Sequence, residues 1–307
     1  MELTTAPTVT KTMVEQQRGV RMRKLTDQIA TGVLWLAAGL ITLLIAFIIV
    51  YLFVRGASAI SWHFLTSLPA ETEAGGGIGP EIFNSFYILF LTMFFTVPIA
   101  VSAGIYLQEY ARPGRFRTLV QFSAESLATV PSIVMGLFGL LIFIYFLHWK
   151  FSAIAGALTL TLMNLPALMR VTQESLSTVP DTLREASMGL GATKWQTILS
   201  TVLPSSVAPL TTGVILVAGR IFGETAALVY TAGLSVSHNN PYDLNPFHTA
   251  ETLSVHLWYT RSESVVPDVQ RIGDGSALVL LVMVLVFNIV ARILGRALST
   301  RLTGKRA

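Results

Sequence analysis

Six apolar stretches of this 307-residue chain are each long enough to cross a lipid bilayer. A membrane-spanning helix needs roughly 20 largely apolar residues. The composition agrees, since 52% of the residues are hydrophobic and only 12% are charged, about half the charge of a soluble domain. The chain is therefore predicted to be an all-α integral membrane protein with six transmembrane helices, at 32–54, 82–107, 127–147, 151–169, 207–232 and 276–291, the last extended by Ile293 and Leu294.

The distribution of Lys and Arg predicts the orientation. If the N-terminus faces the cytoplasm, 16 of the 21 Lys and Arg residues fall on the cytoplasmic side and 4 on the other, with Arg220 inside a span. Because positive charge collects in cytoplasmic loops, we expect a multi-pass protein of the cytoplasmic membrane with both termini in the cytoplasm. This also explains the high pI without invoking a nucleic-acid partner, and none is predicted.

These patterns divide the chain into four parts. A cytoplasmic tail covers 1–31, its first 24 residues basic and predicted to be disordered, and the first span with its outer loop covers 32–74. The main transmembrane domain covers 75–295, and a short cytoplasmic tail covers 296–307. In the largest outer loop, Asn245-Pro246 predicts the start of an amphipathic interfacial helix.

Catalytic and metal-binding patterns are absent from the sequence. There is no cysteine, and the five histidines form no HExxH pair. His248 and His256 are eight residues apart, about two helical turns, so we predict no metal ion. Since no nucleophile–base arrangement stands out either, an enzyme is not predicted.

A cytoplasmic segment between the fourth and fifth spans has the pattern of two short helices separated by glycines. Such a pair suits docking into a groove of another protein. Glu185-Ala186-Ser187 is followed by Gly191 and then by Leu203-Pro204. This resembles the EAA loop (175–204 here) of binding-protein-dependent ABC-importer permeases, with Ser for the third motif residue and Thr201 for an isoleucine.

The resemblance implies a type I importer (MetI-like) permease core, in which this loop is the coupling helix that rests on an ATPase subunit. It assigns that role to Glu185, Ala186, Gly191, Leu203 and Pro204. A P-loop needs Gly-x4-Gly-Lys-Ser/Thr, and the best match, from Gly189, has Thr193 at the second glycine. We therefore predict no cofactor on this chain, and we expect ATP and Mg²⁺ to be bound by partner ATPases.

Two charged residues inside the fifth run, Arg220 and Glu224, need a polar partner or a pathway. Their i, i+4 spacing on one helix allows a self-neutralising pair. Alternatively, Arg220 contacts an anion at mid-membrane, because a guanidinium presents a planar fork of donors that matches phosphate oxygens. Glu224 would then hold Arg220 in place.

The segment around this pair, Arg220-x-x-Gly223-Glu224-Thr225-Ala226, resembles a segment of phosphate-transport permeases of the PstA type. Further similarities are the glycine-rich stretch at 75–80, Asn84-Ser85, Val130-Pro131-Ser132 and Asn164-Leu165-Pro166. The sister permease PstC shares several of these patterns. The resemblance also places Thr225 on the pathway, and implies a second permease, two ATPases and an extracytoplasmic phosphate-binding protein as partners, within membrane lipid.

Other polar residues near the spans allow two interpretations each. Arg170 is either an exit-side anion contact or an inside-positive anchor. Asn84 and Ser85 either contact substrate or form ordinary interhelical hydrogen bonds. Gly136 and Gly139 are predicted to pack closely against another helix. Two alternative functions remain at this point: a permease for another oxyanion such as sulfate or molybdate, and an ATP-independent channel or secondary transporter.

Overall fold

A computed structural model describes residues 7–70, 73–236 and 240–303, and all regular secondary structure in these ranges is helical. The first helix, α1, covers Pro7–Gly56. The remaining helices are α2 (Trp62–Thr66), α3 (Gly79–Ile105), α4 (Arg115–Ala128), α5 (Ser132–Gly139), α6 (Ala153–Ser177), α7 (Asp181–Gly189), α8 (Lys194–Thr197), α9 (Leu203–Phe222), α10 (Ala226–Val229), α11 (Leu253–Ser262) and α12 (Val269–Thr303). Short π-helical turns extend α3 and α5 and join α8 to α9.

Five helical stretches in the described ranges are long and apolar enough to span a membrane, and a bent pair brings the number to six. The five are Asp27–Ala59, Gly79–Tyr110, Ala153–Ser177, Lys194–Phe222 and Val269–Ala297. The sixth combines α4 with Ser132–Phe146, bent by 102°. The all-helical prediction is thus confirmed, with five candidate spans, or six if the bent pair forms one span.

Two sequence predictions were wrong in detail. The third apolar run is not one straight helix, because α4 ends at Ala128 and the chain turns sharply before Pro131, which cannot donate a backbone hydrogen bond. The N-terminal tail predicted to be disordered is helical from Pro7 onward, continuous with the first span. The predictions for residues 1–6 and 304–307 lie outside the described residues.

The main domain packs around α6, which contacts α3, α5 and α9 through a shared apolar core. Small residues allow this close approach. A Cβ on Gly139 would lie 2.2 Å from Thr159 Oγ1 on α6, and a Cβ on Gly136 would lie 2.9 Å from the backbone of Ala227. The prediction that Gly136 and Gly139 are close-packing positions is confirmed.

The outer loop differs from its sequence prediction. The helix expected to start at Asn245-Pro246 begins at Leu253, where the Thr252 side chain caps it by accepting from the Val255 N–H. Residues 240–252 form turns instead, and their backbone bonds to the start of α6, with the N–H of Ala153 donating to His248 O at 2.9 Å. The loop is therefore fastened to the helical core.

Candidate functional site

Arg220 lies in the last turn of α9, with its side chain exposed on the surface of the chain. No carboxylate and no hydrogen-bond acceptor of the described residues contacts its guanidinium. The neighbouring Phe222 is buried and packs against Phe86 of α3 and Phe287 of α12, with ring centroids 5.0 Å apart in both pairs. The positively charged side chain of Arg220 therefore lies at the surface of an apolar helix, and the packing of Phe222 fixes the end of that helix.

The fifth span breaks immediately after this arginine. Gly223 ends α9, Glu224 and Thr225 are non-helical, and α10 begins at Ala226. The predicted continuous helix over 207–232 is therefore wrong, and so is the i, i+4 pairing that it implied. No ion pair joins Arg220 to Glu224 in the described structure. Arg220 also lies near the end of its helix rather than at mid-span, where the helix C-terminus favours a positive charge.

The end of α9 leaves backbone groups without helical partners, and these groups need other hydrogen bonds. Here the Glu224 carbonyl accepts a hydrogen bond from Ser254 Oγ of α11 at 2.8 Å, which satisfies one freed backbone group. Glu224 and Thr225 are half-buried, so the break lies at the edge of the protein core.

Asn84 and Ser85 lie near the start of α3 and are both buried. Asn84 Nδ2 donates to the Glu251 carbonyl at 3.0 Å, and Ser85 Oγ accepts from the Leu253 N–H at 2.9 Å. These bonds connect α3 to the segment that leads into α11. Both side chains therefore make the hydrogen bonds of the second interpretation, and their contact with substrate stays a prediction.

Arg170 is exposed on α6 and is flanked by two carboxylates. Its Nε donates to Glu174 Oε1 at 3.0 Å, and its Nη1 lies 3.9 Å from Glu125 Oε1 of α4. These residues border a cavity of about 360 Å³ between α4 and α6, together with Gln121 and Gln173. Since two negative charges already face this guanidinium, it is less suited to an anion than Arg220 is.

The predicted helix–glycine–helix segment is present as α7 and α8. Gly191 follows α7 with a φ of +88°, a left-handed conformation that side chains other than glycine strain to adopt. Thr193 and Gln196 then form a capping box that starts α8. Glycine is thus required at position 191 by the turn between the two helices.

The segment is bound to the end of the α3 span by a mostly enclosed ion pair. Arg184 Nη2 donates to Glu109 Oε1 at 2.9 Å, with side-chain exposures of 14% and 7%. The same arginine donates to the Leu176 carbonyl at 2.9 Å, and Lys194 Nζ donates to the Glu109 carbonyl. Movement of α7 would therefore be transmitted directly to α3 and α6.

The solvent-exposed surface of α7, α8 and the turn between them carries apolar side chains. Leu190 is 91% exposed, and Leu183, Met188 and Trp195 are between 43% and 53% exposed. Glu185 and Ala186 are exposed on α7, whereas Leu203 and Pro204 are half-buried at the start of α9. Pro204 lacks the N–H of a regular helical turn, which accounts for the π-helical turn that precedes it. An apolar surface on a polar loop is typical of an interaction site.

The family comparison agrees with this architecture. Residues 96–304 match the model of the family described as "Binding-protein-dependent transport system inner membrane component". The chain belongs to this family. Membership makes it a multi-pass inner-membrane permease of ABC importers and a transport component rather than an enzyme, as predicted.

Two curated relatives align with most of the length of this chain. It is 41% identical over 290 residues to the probable ABC transporter permease protein YqgI of Bacillus subtilis, covering 92% of this chain and 99% of the relative. It is 33% identical over 241 residues to the phosphate transport system permease protein PstA of Yersinia pestis, covering 78% and 80%.

A solved structure supports the fold at low sequence identity. The MetNI methionine ABC transporter in an inward-facing conformation matches with a TM-score of 0.54 and 17% identity, covering 81% of this permease and 97% of the solved chain. This confirms the MetI-like fold prediction and carries no information about the solute.

Sequence reasoning missed a buried polar cluster at the start of α3, at the end opposite the Arg184–Glu109 ion pair. His256 Nδ1 bonds to Glu251 Oε1 at 3.1 Å and lies 3.9 Å from Glu81 Oε1. Burial favours the neutral ring, but the bond to Glu251 and the charges of both carboxylates outweigh it and raise the pKa of His256. Only the unusual charge of Glu81 at the edge of an apolar run pointed to it in the sequence.

The turn at Gly191 gives a direct prediction. Gly191→Ala should reduce ATP-dependent transport, because an L-residue in the left-handed region costs about 1–2 kcal/mol and the turn would shift to relieve it. Gly189→Ala is the matched control: its Cβ would meet nothing within 4 Å, and it lies in a helix. Initial uptake rates of both variants at equal complex abundance test this, and equal rates would contradict the account of the turn.

Proposed function

We propose that this permease is one of two transmembrane subunits of an ATP-driven phosphate importer, forming half of the translocation pathway by alternating access. The observation that carries the proposal is the exposed guanidinium of Arg220 in the last turn of the fifth candidate span, where no carboxylate of the described residues neutralises it. An ionisable residue in a membrane-spanning segment commonly marks a substrate or ion pathway.

The chemistry of Arg220 favours an oxyanion. A guanidinium forms two parallel charge-assisted hydrogen bonds to phosphate oxygens, and in a poorly hydrated pathway such bonds are stronger than in water. The similarity to PstA of Yersinia pestis supports phosphate as that oxyanion. Thr225 precedes α10 and offers a half-buried hydroxyl five residues after Arg220.

The partners follow from the exposed surfaces. The apolar surface of α7 and α8 would rest on one of two ATPase subunits, which would bind ATP and Mg²⁺, and Glu185 and Ala186 would face that subunit. A second permease would cover the Arg220 surface to complete the pathway. An extracytoplasmic phosphate-binding protein would deliver the anion to the side opposite α7, with both termini of the permease in the cytoplasm.

Competition between anions tests the substrate. Vesicles holding the complete complex should take up labelled phosphate with ATP, and excess unlabelled phosphate should suppress this uptake. Excess sulfate or molybdate should leave the rate unchanged. Suppression by sulfate or molybdate would instead assign the permease to another oxyanion, while the fold and the coupling segment would keep their interpretation.

A further inference from the structure

Three buried side chains meet at the outer end of the main domain. Glu81 lies in the first turn of α3, Glu251 precedes α11, and His256 is in α11. Their residues are 0%, 3% and 7% exposed. One ligand atom from each lies within 4.8 Å of the other two. The cluster therefore brings two carboxylates and an imidazole within a few ångströms of one another.

Glu81 is the unusual member of this cluster. Neither of its carboxylate oxygens has a hydrogen-bond partner among the described residues. The Nδ1 of His256 is 3.9 Å away, beyond hydrogen-bond distance, and is already bonded to Glu251 Oε1 at 3.1 Å. A buried carboxylate without a hydrogen bond is strongly unfavourable, so this group needs either a proton or a positively charged partner.

The backbone around the cluster is fixed by hydrogen bonds. Ser85 Oγ donates to the Glu81 carbonyl at 2.7 Å and accepts from the Leu253 N–H at 2.9 Å. Asn84 Nδ2 donates to the Glu251 carbonyl at 3.0 Å. These bonds use the backbone carbonyls of Glu81 and Glu251 rather than their carboxylates, and they hold α3 and the α11 segment together. The three donor groups are thus preorganised on rigid elements.

We propose that Glu81, Glu251 and His256 bind a divalent transition-metal ion of the Zn²⁺ type. One imidazole nitrogen with two carboxylate oxygens is a donor set suited to Zn²⁺ and related ions, whereas Mg²⁺ and Ca²⁺ prefer oxygen alone. The two negative charges are balanced by the ion, which removes the electrostatic cost of burying both carboxylates.

The distances are close to those of a metal site. Ligands bound tetrahedrally to one zinc ion at about 2.1 Å lie roughly 3.4 Å apart, so side-chain shifts of about an ångström would close a cluster whose ligand atoms lie within 4.8 Å of one another. Glu251 and His256 also border a cavity of about 370 Å³, which Tyr259 and Thr260 line as well. This cavity supplies an entry route and room for a water as the fourth ligand.

The ion would act as a clamp. It would join the outer segment that carries Glu251 and His256 to the first turn of α3, beside the Ser254 bond to the helix break at Glu224. The prediction of no metal considered histidine pairs alone. This site combines a single histidine with two carboxylates, one of them from a distant helix, so no sequence spacing reports it.

Cobalt binding by the complete, nucleotide-free complex tests the site, using an affinity tag without histidines. Co²⁺ reports its own coordination by visible absorption, and equilibrium dialysis gives its stoichiometry. The wild-type complex should bind close to one Co²⁺ per permease chain with the spectrum of a low-coordinate N/O site. Glu81→Gln keeps the shape of the side chain and should weaken binding by more than about tenfold.

Two controls make the outcome decisive. His248→Gln alters an exposed histidine that contacts Asp243, so it should leave Co²⁺ binding unchanged. Zn²⁺ should raise the thermal unfolding temperature of the wild type and of His248→Gln, but not of Glu81→Gln. Glu81→Gln removes a buried charge, so it is expected to fold. Equal Co²⁺ binding by the wild type and Glu81→Gln, or no binding by either, would overturn the proposal.

Discussion

Arg220→Ala is expected to reduce the initial rate of phosphate uptake by about 10- to 100-fold. A charge-assisted hydrogen bond contributes about 1.5–3 kcal/mol, and each 1.4 kcal/mol corresponds to a factor of ten. Arg220→Lys should give an intermediate rate, since it keeps the charge but loses the planar fork. The rates should be measured in vesicles with equal amounts of assembled complex.

Two further variants separate this account from a structural role of the arginine. Arg292→Ala removes an exposed arginine from α12 and should have little effect on uptake. Arg220→Gln combined with Glu224→Gln tests the pairing hypothesis, because neutralising both members of a purely structural pair should restore transport. Wild-type uptake in Arg220→Ala or in this double variant would remove Arg220 from the pathway.

Arg184→Met is expected to destabilise the permease by about 3–5 kcal/mol, the typical effect of breaking a buried ion pair. The variant leaves the Glu109 carboxylate enclosed without its cation and removes the bond to the Leu176 carbonyl. Since this pair fastens α7 to the α3 span, ATP-dependent transport should fall with stability. Thermal unfolding in detergent gives the first effect and uptake gives the second.

Two matched variants test whether the Arg184–Glu109 ion pair is the cause of the lost stability. Asp181 is the second carboxylate partner of Arg184, and its own side chain is 87% exposed. Asp181→Asn should therefore change the free energy of unfolding by less than about 1 kcal/mol. Arg184→Met with Glu109→Leu removes both enclosed charges and should recover most of the stability lost in the single variant. A double variant as unstable as Arg184→Met would show that the ion pair is not what holds the segment.

The sequence predicted most of the helical spans and the two short helices separated by glycine because both depend on local patterns. Apolar runs identify spans through composition alone, and the Gly191 turn depends on one residue with a positive φ. The break at 223–225 was missed because the apolar run resumes at Ala226, so Glu224 was interpreted as a charge within one continuous helix. The cluster of Glu81, Glu251 and His256 was missed because it forms only when α3 and α11 pack together.

The ATP requirement of uptake is the most direct test of the central claim, that this chain is the passive half-pathway of an ATP-driven phosphate importer. Proteoliposomes containing the complete complex, with loaded binding protein outside, would be assayed for labelled phosphate with and without enclosed Mg-ATP. Uptake that occurs only with ATP, and is lost when this chain is omitted, is the predicted result. Phosphate equilibration through this chain alone, without ATPase or ATP, would contradict the account and indicate a channel or a secondary transporter.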